Sequence, residues 1–291
     1  MRAIASNSVE SLTSESLLDL RDMLVAARRQ RTEVDCDLCD ARQLLSGRQQ
    51  ELERRRGSLF RWFYKKRIGA LEAEVPTIAA EVDRLAGWST QTVIKLDFEG
   101  TEPARAAYAV LVRAFSALTS SSKQWDLTSD RDTDRVRERT VANRSIERHP
   151  IRVEFARSDL VEFDGQAMRF ENHNGEDIYL YPGIALMPRA DGAFALIDIR
   201  EIDLEADGIR FHEDEGVPPD AEVLGNTWAK ANKDGSPDRR FADNYAIPIC
   251  AYGLVAFRSS GGIREEYMFS NWRATEAFAM AFVSYQEALR Q

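Results

Sequence analysis

Two apolar stripes in the first third of the chain limit what it can fold into more than any other feature. From Leu17, hydrophobic side chains recur in steps of three and four at Leu17, Leu20, Leu24, Ala27, Val34, Leu38, Ala41, Leu45 and Leu52. A second series runs Tyr64, Ile68, Leu71, Val75, Ile78, Val82 and Leu85. This spacing keeps one helical face apolar, as in a coiled-coil seam or an antiparallel helix pair. A helix with one such stripe must bury it, and Gly57 and Ser58 separate the two series. The simplest solution is a helical hairpin, a coiled-coil-like arm over residues 12–88 bent near Gly57. Arg31, Arg48 and Arg55 fall on the seam and require a partner that leaves gaps or supplies carboxylates. Pro76 predicts a kink or break in the second helix, since it removes a backbone donor and clashes with the preceding turn. Gly87 is the expected end of the arm.

Around the bend, Arg54, Arg55, Arg56, Arg61, Lys65, Lys66 and Arg67 are interleaved with Phe60, Trp62, Phe63 and Tyr64, without a single acid. In a chain of formal charge −9 this is the strongest local anomaly. One reading is an anionic membrane surface, with aromatics inserted and cations facing headgroups. A second is stacking on single-stranded nucleic acid, which the overall acidity disfavours. A third closes the hairpin end with the aromatics, docks them on the next domain and pairs the cations with nearby acids. Cys36 and Cys39 form one Cys-x-x-Cys pair in mid-helix. Zinc needs four ligands and no second pair exists, so both read as ordinary small side chains.

The 291 residues suffice for two domains, and 44% hydrophobic content with 14 Phe allows a sizeable core. Three cysteines exclude a disulfide framework, and no signal peptide or membrane-spanning apolar run is legible, so a soluble cytoplasmic protein is expected. Residues 89–145 read as a small α/β connector: a strand over Thr92–Phe98, a helix opened by Pro103 with Tyr108, Leu111, Val112, Phe115 and Leu118 on one face, and a strand over Lys123–Leu127. The mixed run Asp130–Arg139 reads as a solvated helix or loop, with Arg135, Arg137, Arg139, Arg144 and Arg148 as a less favoured basic strip.

Residues 146–291 carry short apolar segments punctuated by Asp164-Gly165, Asn174-Gly175, Asp191-Gly192 and Asp207-Gly208, the dipeptides of tight hairpins. They predict an antiparallel sheet rolled into a barrel or sandwich. Strands follow over Ile247–Phe257 and Arg264–Phe269, and Asn271 caps a last helix whose Ala274, Phe278, Ala281, Phe282 and Tyr285 share a face. The fold class is therefore α+β: a helical hairpin followed by an antiparallel β module with a C-terminal helix. That element order resembles the pleckstrin-homology (PH)-like architecture.

Between these strands lies a polar stretch, Asn226–Asn244, with Trp228 and Phe241 near its ends. Asn232, Asp234, Gly235, Ser236 and Pro237 are turn formers, and Arg239 and Arg240 follow Asp234 and Asp238 closely. The loop either ties its own charges together or offers guanidinium donors to an anion. Trp228, Asn232, Lys233, Asp234, Asp238, Arg239, Arg240 and Phe241 are the candidate ligand-binding residues. The string Trp228-x-x-x-Asn232-Lys-Asp-Gly-Ser-Pro-Asp-Arg-Arg-Phe241, with Ile247-Pro248, Tyr252-Gly253 and Glu265–Asn271, resembles a C-terminal module of bacterial proteins without an established activity. The resemblance implies a bacterial cytosolic protein and carries over no catalytic residue.

Asn232, Asp234, Ser236, Asp238 and Asp243 are hard oxygen donors, but Lys233, Arg239 and Arg240 oppose a cation, so no metal is expected there. His212 beside Glu213, Asp214 and Glu215 should hold a proton more firmly than usual. No nucleophile elbow, phosphate loop or dinucleotide fingerprint appears, and no cofactor is expected. The reading that results is a non-catalytic interaction or scaffold protein whose PH-like module binds a protein or an anionic ligand. A protein partner is expected first, with self-association through the arm and an anionic membrane at residues 54–67 as further modes. The alternative is a metal-dependent hydrolase or nuclease using the Asp-rich loop 232–243.

Overall fold

The computed structural model describes residues 2–91, 94–133, 142, 144–232 and 234–291. In chain order the elements are β1 (Arg2–Ala3), α1 (Val9–Leu12), α2 (Leu18–Arg56), α3 (Lys65–Gln91), β2 (Lys95–Leu96), α4 (Glu102–Thr119), β3 (Gln124–Asp132) and β4 (Arg144–Pro150). Then come β5 (Val153–Ala156), β6 (Glu162–Phe163), β7 (Ala167–Phe170), β8 (Ile178–Leu180), β9 (Ile184–Pro188) and β10 (Phe194–Asp198). The chain ends with β11 (Ile202–His212), β12 (Glu222–Trp228), β13 (Ala246–Ser259), β14 (Arg264–Phe269) and α5 (Trp272–Leu289). Two compact units result: Asp19–Leu96 with Asp159–Phe163, and Met1–Leu18 with Asp97–Ser158 and Asp164–Gln291.

The first unit is the helical hairpin. Val34 and Leu38 of α2 share a buried cluster with Leu85 of α3, flanked by Ala41, Val82 and Ala86. The seam arginines meet carboxylates: Arg48 lies 3.4 Å from both Glu51 and Glu74, and Arg55 lies 2.8 Å from Glu51. Arg67 reaches the same Glu51 from α3 at 3.0 Å, so the two helices are cross-tied near the bend. The break expected at Pro76 does not occur. Lys65–Gln91 is one helix that passes Pro76 and runs beyond Gly87. Burial of a stripe along the whole of α3 outweighs one lost donor, because helices in proteins draw most of their stability from packing.

The strand expected over Thr92–Phe98 is confined to Lys95–Leu96; Thr92 and Val93 lie outside the described residues. It pairs in parallel with β6, Lys95 opposite Glu162 and Leu96 opposite Phe163. The β-α-β unit expected across 92–127 therefore does not form, and β3 joins a different sheet. Of the mixed-charge run, Asp130–Asp132 extends β3, while residues 134–141 and 143 lie outside the described residues. The start of the run is therefore strand rather than helix or loop: Asp130, Arg131 and Asp132 stand opposite Ile146, Ser145 and Arg144 of β4, with Arg131 and Asp132 exposed.

The second unit holds two antiparallel sheets. Seven strands include the path β1-β3-β14-β13-β11, with β4 beside β3 and β12 beside β13; five more follow the order β10-β9-β8-β7-β5. The chain crosses between sheets at two corners. At the first, between β4 and β5, Gln124 binds both ways: its carbonyl accepts from Ile151 N at 3.1 Å and its side chain accepts from Val153 N at 2.6 Å. At the second, between β10 and β11, Gln286 of α5 donates to the carbonyls of Ile199 and Ile202, each at 2.6 Å. Both sheets enclose one core with α4 and α5, in which Phe115, Phe170, Phe257, Tyr267 and Phe278 pack edge to face or tilted. Asp207-Gly208 is not a turn: both residues lie inside β11, with Gly208 opposite Gly253 of β13. Glycine is needed at 253 for closeness rather than for bending, since a Cβ there would stand 2.2 Å from Thr275 Oγ1 of α5.

Candidate functional site

The last helix has two faces. Ala274, Phe278, Ala281, Phe282 and Tyr285 enter the core, as their spacing dictates, and Asn271 caps the helix through Ala274 N at 3.1 Å. A second stripe, Trp272, Thr275, Ala279, Met280 and Val283, faces a groove of about 650 Å³ whose other wall is β11 at Leu204, Ala206 and Gly208. Met280 is 68% and Val283 41% exposed. Asp207, Glu276 and Glu287 line the same groove, and none of its lining residues is basic. Among the described residues, β11 pairs only with β13, which leaves its other edge without a strand partner. An open edge beside an apolar helical face can take a further strand, since main-chain groups bind backbone and alternate side chains reach the pocket.

The polar stretch singled out in the sequence is the loop joining β12 to β13. It satisfies itself. Asn232 N donates to Ser236 O at 2.8 Å, and the Asn232 amide donates to Ser236 Oγ and to the carbonyl of Pro237 at 3.0 and 3.1 Å. Asp234 accepts from Ser236 N and Oγ, which holds its carboxyl below the usual aspartate range. The buried Asp238 carboxylate takes both Nε and Nη2 of Arg240, at 2.9 and 2.8 Å. Arg239 is exposed, Trp228 and Phe241 are half-buried, and Lys233 lies outside the described residues. Of the two sequence readings, internal pairing is the one these bonds support. Among the described residues no three His, Cys, Asp or Glu side chains gather as a metal site would require.

At the hairpin bend the aromatics are exposed. Leu59 is 95%, Phe60 62%, Trp62 68%, Phe63 67% and Tyr64 39% exposed. Arg56 pairs with Glu72, and Arg55 and Arg67 with Glu51, whose carboxyl these hydrogen bonds pull down to about 2. Arg54, Arg61, Lys65 and Lys66 are exposed and have no carboxylate within ion-pair distance among the described residues.

Two buried polar networks complete the second unit. Arg148 lies between the rings of Trp125 and Phe211, 4.3 and 4.5 Å from their centroids, and binds both oxygens of Glu213 at 3.0 Å. Tyr252 donates to the same carboxylate at 2.6 Å. Arg148 is thus no part of a basic strip, nor is Arg144, which pairs with Asp130 and Glu266. Arg135, Arg137 and Arg139 lie outside the described residues. With Glu213 and Glu215 committed to Arg148, burial and Arg210 lower the His212 pKa, the reverse of the sequence expectation. The second network joins the wholly buried Glu265 to Ser6, from whose N and Oγ it accepts at 3.0 and 2.5 Å. Asp126, also wholly buried, accepts from His173 N at 2.8 Å, and the His149 and His173 rings stack 3.7 Å apart. Burial raises both carboxyls, Glu265 to about 7. The Asp126 and Glu265 side chains have no exposed surface, whereas His173 and Glu215 at the margins of the two networks are exposed.

No family model, curated protein or solved structure matches the chain.

The groove was missed in the sequence because its two walls are some seventy residues apart, Leu204 against Trp272 onward. One signal was available: Trp272, Glu276, Met280, Val283 and Glu287 fall on a single helical face outside the apolar stripe.

Proposed function

We propose that the chain is a protein-binding module that receives an extended segment of a partner between α5 and the open edge of β11. The observation that carries this is the conjunction of an unpaired strand edge with exposed Met280 and Val283 and a carboxylate rim at Asp207, Glu276 and Glu287. Backbone pairing to β11 supplies affinity and alternate apolar side chains fill the groove. The rim selects lysine or arginine beside them, and it repels phosphates and carboxylates, which weighs against an anionic ligand at this place. The PH-like reading of the β module is supported by two antiparallel sheets joined at two corners with a C-terminal helix, although among the described residues neither strand order closes on itself. Kinship with the bacterial module carrying the Trp228–Phe241 string belongs to the same proposal, as does a cytoplasmic setting, for which the free thiols of Cys36, Cys39 and Cys250 speak. Among the described residues no helix is long and apolar enough to cross a membrane.

Selection from a displayed library of random peptides tests the reading. Enriched sequences should alternate apolar with other residues and carry Lys or Arg, and their binding should disappear in Met280→Asp/Val283→Asp while surviving in Asp234→Ala. Peptides bound equally by the double variant, or no enrichment at all, would overturn it.

A further inference from the structure

The end of the helical hairpin also exposes large apolar side chains, but its charges are basic where those of the groove are acidic. Four large apolar side chains, Leu59, Phe60, Trp62 and Phe63, are each more than 60% exposed within five residues. Contiguous exposed apolar surface of this kind marks an interaction site. The sequence offers no local reason for it, since Gly57 and Ser58 alone would make the turn. The structure shows instead that the bend is closed beneath these side chains, by Arg67 and Arg55 on Glu51, by Arg56 on Glu72 and by the Arg55 guanidinium 4.9 Å over the Tyr64 ring. The ion pairs consume the inner cations. The outer four, Arg54, Arg61, Lys65 and Lys66, remain without carboxylate partners among the described residues. Unpaired cations flanking exposed aromatics match the boundary between lipid headgroups and acyl chains, where Trp and Phe bury their rings and Lys and Arg reach phosphate.

We infer that residues 54–67 dock on an anionic bilayer surface, with Leu59, Phe60, Trp62 and Phe63 in the headgroup layer and Arg54, Arg61, Lys65 and Lys66 on lipid phosphates and carboxylates. A second copy of the chain is the poorer occupant, because tip-to-tip contact would bring together the four unpaired cations of each copy, Arg54, Arg61, Lys65 and Lys66. Single-stranded nucleic acid is poorer as well. Trp62 and Phe63 stack on one another, centroids 3.7 Å apart, which takes one face of each ring from any base, and Leu59 offers a base nothing to stack on. Anchoring by one insertion patch and one basic patch is the two-signal arrangement that gives reversible, salt-sensitive attachment. The inference is independent of the groove.

Sedimentation of the full-length protein with vesicles tests it, using phosphatidylcholine alone and phosphatidylcholine with about one-third phosphatidylserine at about 0.1 M salt. The anionic vesicles should retain the protein, retention should fall at about 1 M salt, and neutral vesicles should retain it weakly. Each cation removed should lower partitioning about five-fold, so Arg61→Glu/Lys66→Glu should lose about 25-fold or more, and Trp62→Ser/Phe63→Ser should lose binding while melting like the parent. In the parent, brominated lipid should quench tryptophan emission; in Trp62→Phe, which keeps an aromatic ring, binding should persist and that quenching should vanish. Equal retention of the charge-reversed variant, no retention of the parent, tip-dependent dimerisation without vesicle binding, or Trp62-dependent binding of an oligonucleotide in place of vesicles would each overturn the inference.

Discussion

Glutamine in place of Glu265 should remove a fall in stability that the parent protein suffers as the solution passes from mildly acidic to neutral. The Glu265 carboxyl has no exposed surface, faces Asp126 and Tyr267, and holds Ser6 through two hydrogen bonds. Desolvation lifts its pKa from 4.5 to about 7. Below 4.5 folded and unfolded chains both carry the proton and the group has no pH-dependent effect. Above 4.5 the unfolded chain releases the proton while the folded chain retains it until about 7, so stability drains away across that window. At about 1.4 kcal/mol per pKa unit the loss amounts to about 3 to 3.5 kcal/mol. Asp126, raised for the same reason, acts in the same direction from a lower starting point. Glu51, Asp191, Asp198, Glu213 and Asp234 have lowered values, so their contributions vanish on acidification and are complete above about pH 5. The measurement is urea unfolding of parent and Glu265→Gln at intervals from about pH 4 to 8. The two should be nearly equal at the acid end, with the glutamine variant more stable by about 3 to 3.5 kcal/mol at the alkaline end. Parallel curves would refute the reasoning, since the carboxyl would then titrate alike in both states.

Three other outcomes follow from the packing. Arg148→Ala should cost about 3–5 kcal/mol in urea unfolding, because it strands the buried Glu213 carboxylate and empties the slot between Trp125 and Phe211. Gly253→Ala should lower stability by about 1–3 kcal/mol, and Thr275→Ala should not restore it, since the Thr275 Cβ itself would stand 2.4 Å from the new methyl group. Asp234→Ala should remove the Ser236 contacts with a small loss of thermal stability, and adding magnesium, manganese or calcium should leave parent and variant melting temperatures equally unmoved; a metal-induced rise confined to the parent would favour the hydrolase alternative.

Local periodicity made the helices and most of the strands legible. The stripes at Leu17–Leu52 and Tyr64–Leu85 became α2 and α3, Pro103 lies in the first turn of α4 and Asn271 caps α5 as read, and Arg264–Phe269 is β14 as read. The loop at 229–245 was legible as a turn for the same reason: Asn, Asp, Gly and Ser act on backbone only a few residues away. Misreadings arose where a distant partner overrode a local signal. Asp207-Gly208 has hairpin chemistry, yet β13 offers β11 an unbroken partner from Ser259 to Ile249. The Ser-rich start of the chain has no pattern at all, but Ile4 is wholly buried, Val9 and Leu12 enter the core, and Ser6 and Ser14 bind Glu265 and Glu201.

By itself the sequence determined which segments are helical, which alternate and where the chain turns, since those depend on neighbours within a few residues. Tertiary structure alone decided which charges are spent. Arg55, Arg56 and Arg67 are bound while Arg61, Lys65 and Lys66 are not, and Glu213 and Glu265 are sealed while Glu276 and Glu287 line a groove. Whether a charge is available to a partner depends on its distance to opposite charge and on its access to water, and neither quantity is carried by spacing along the chain.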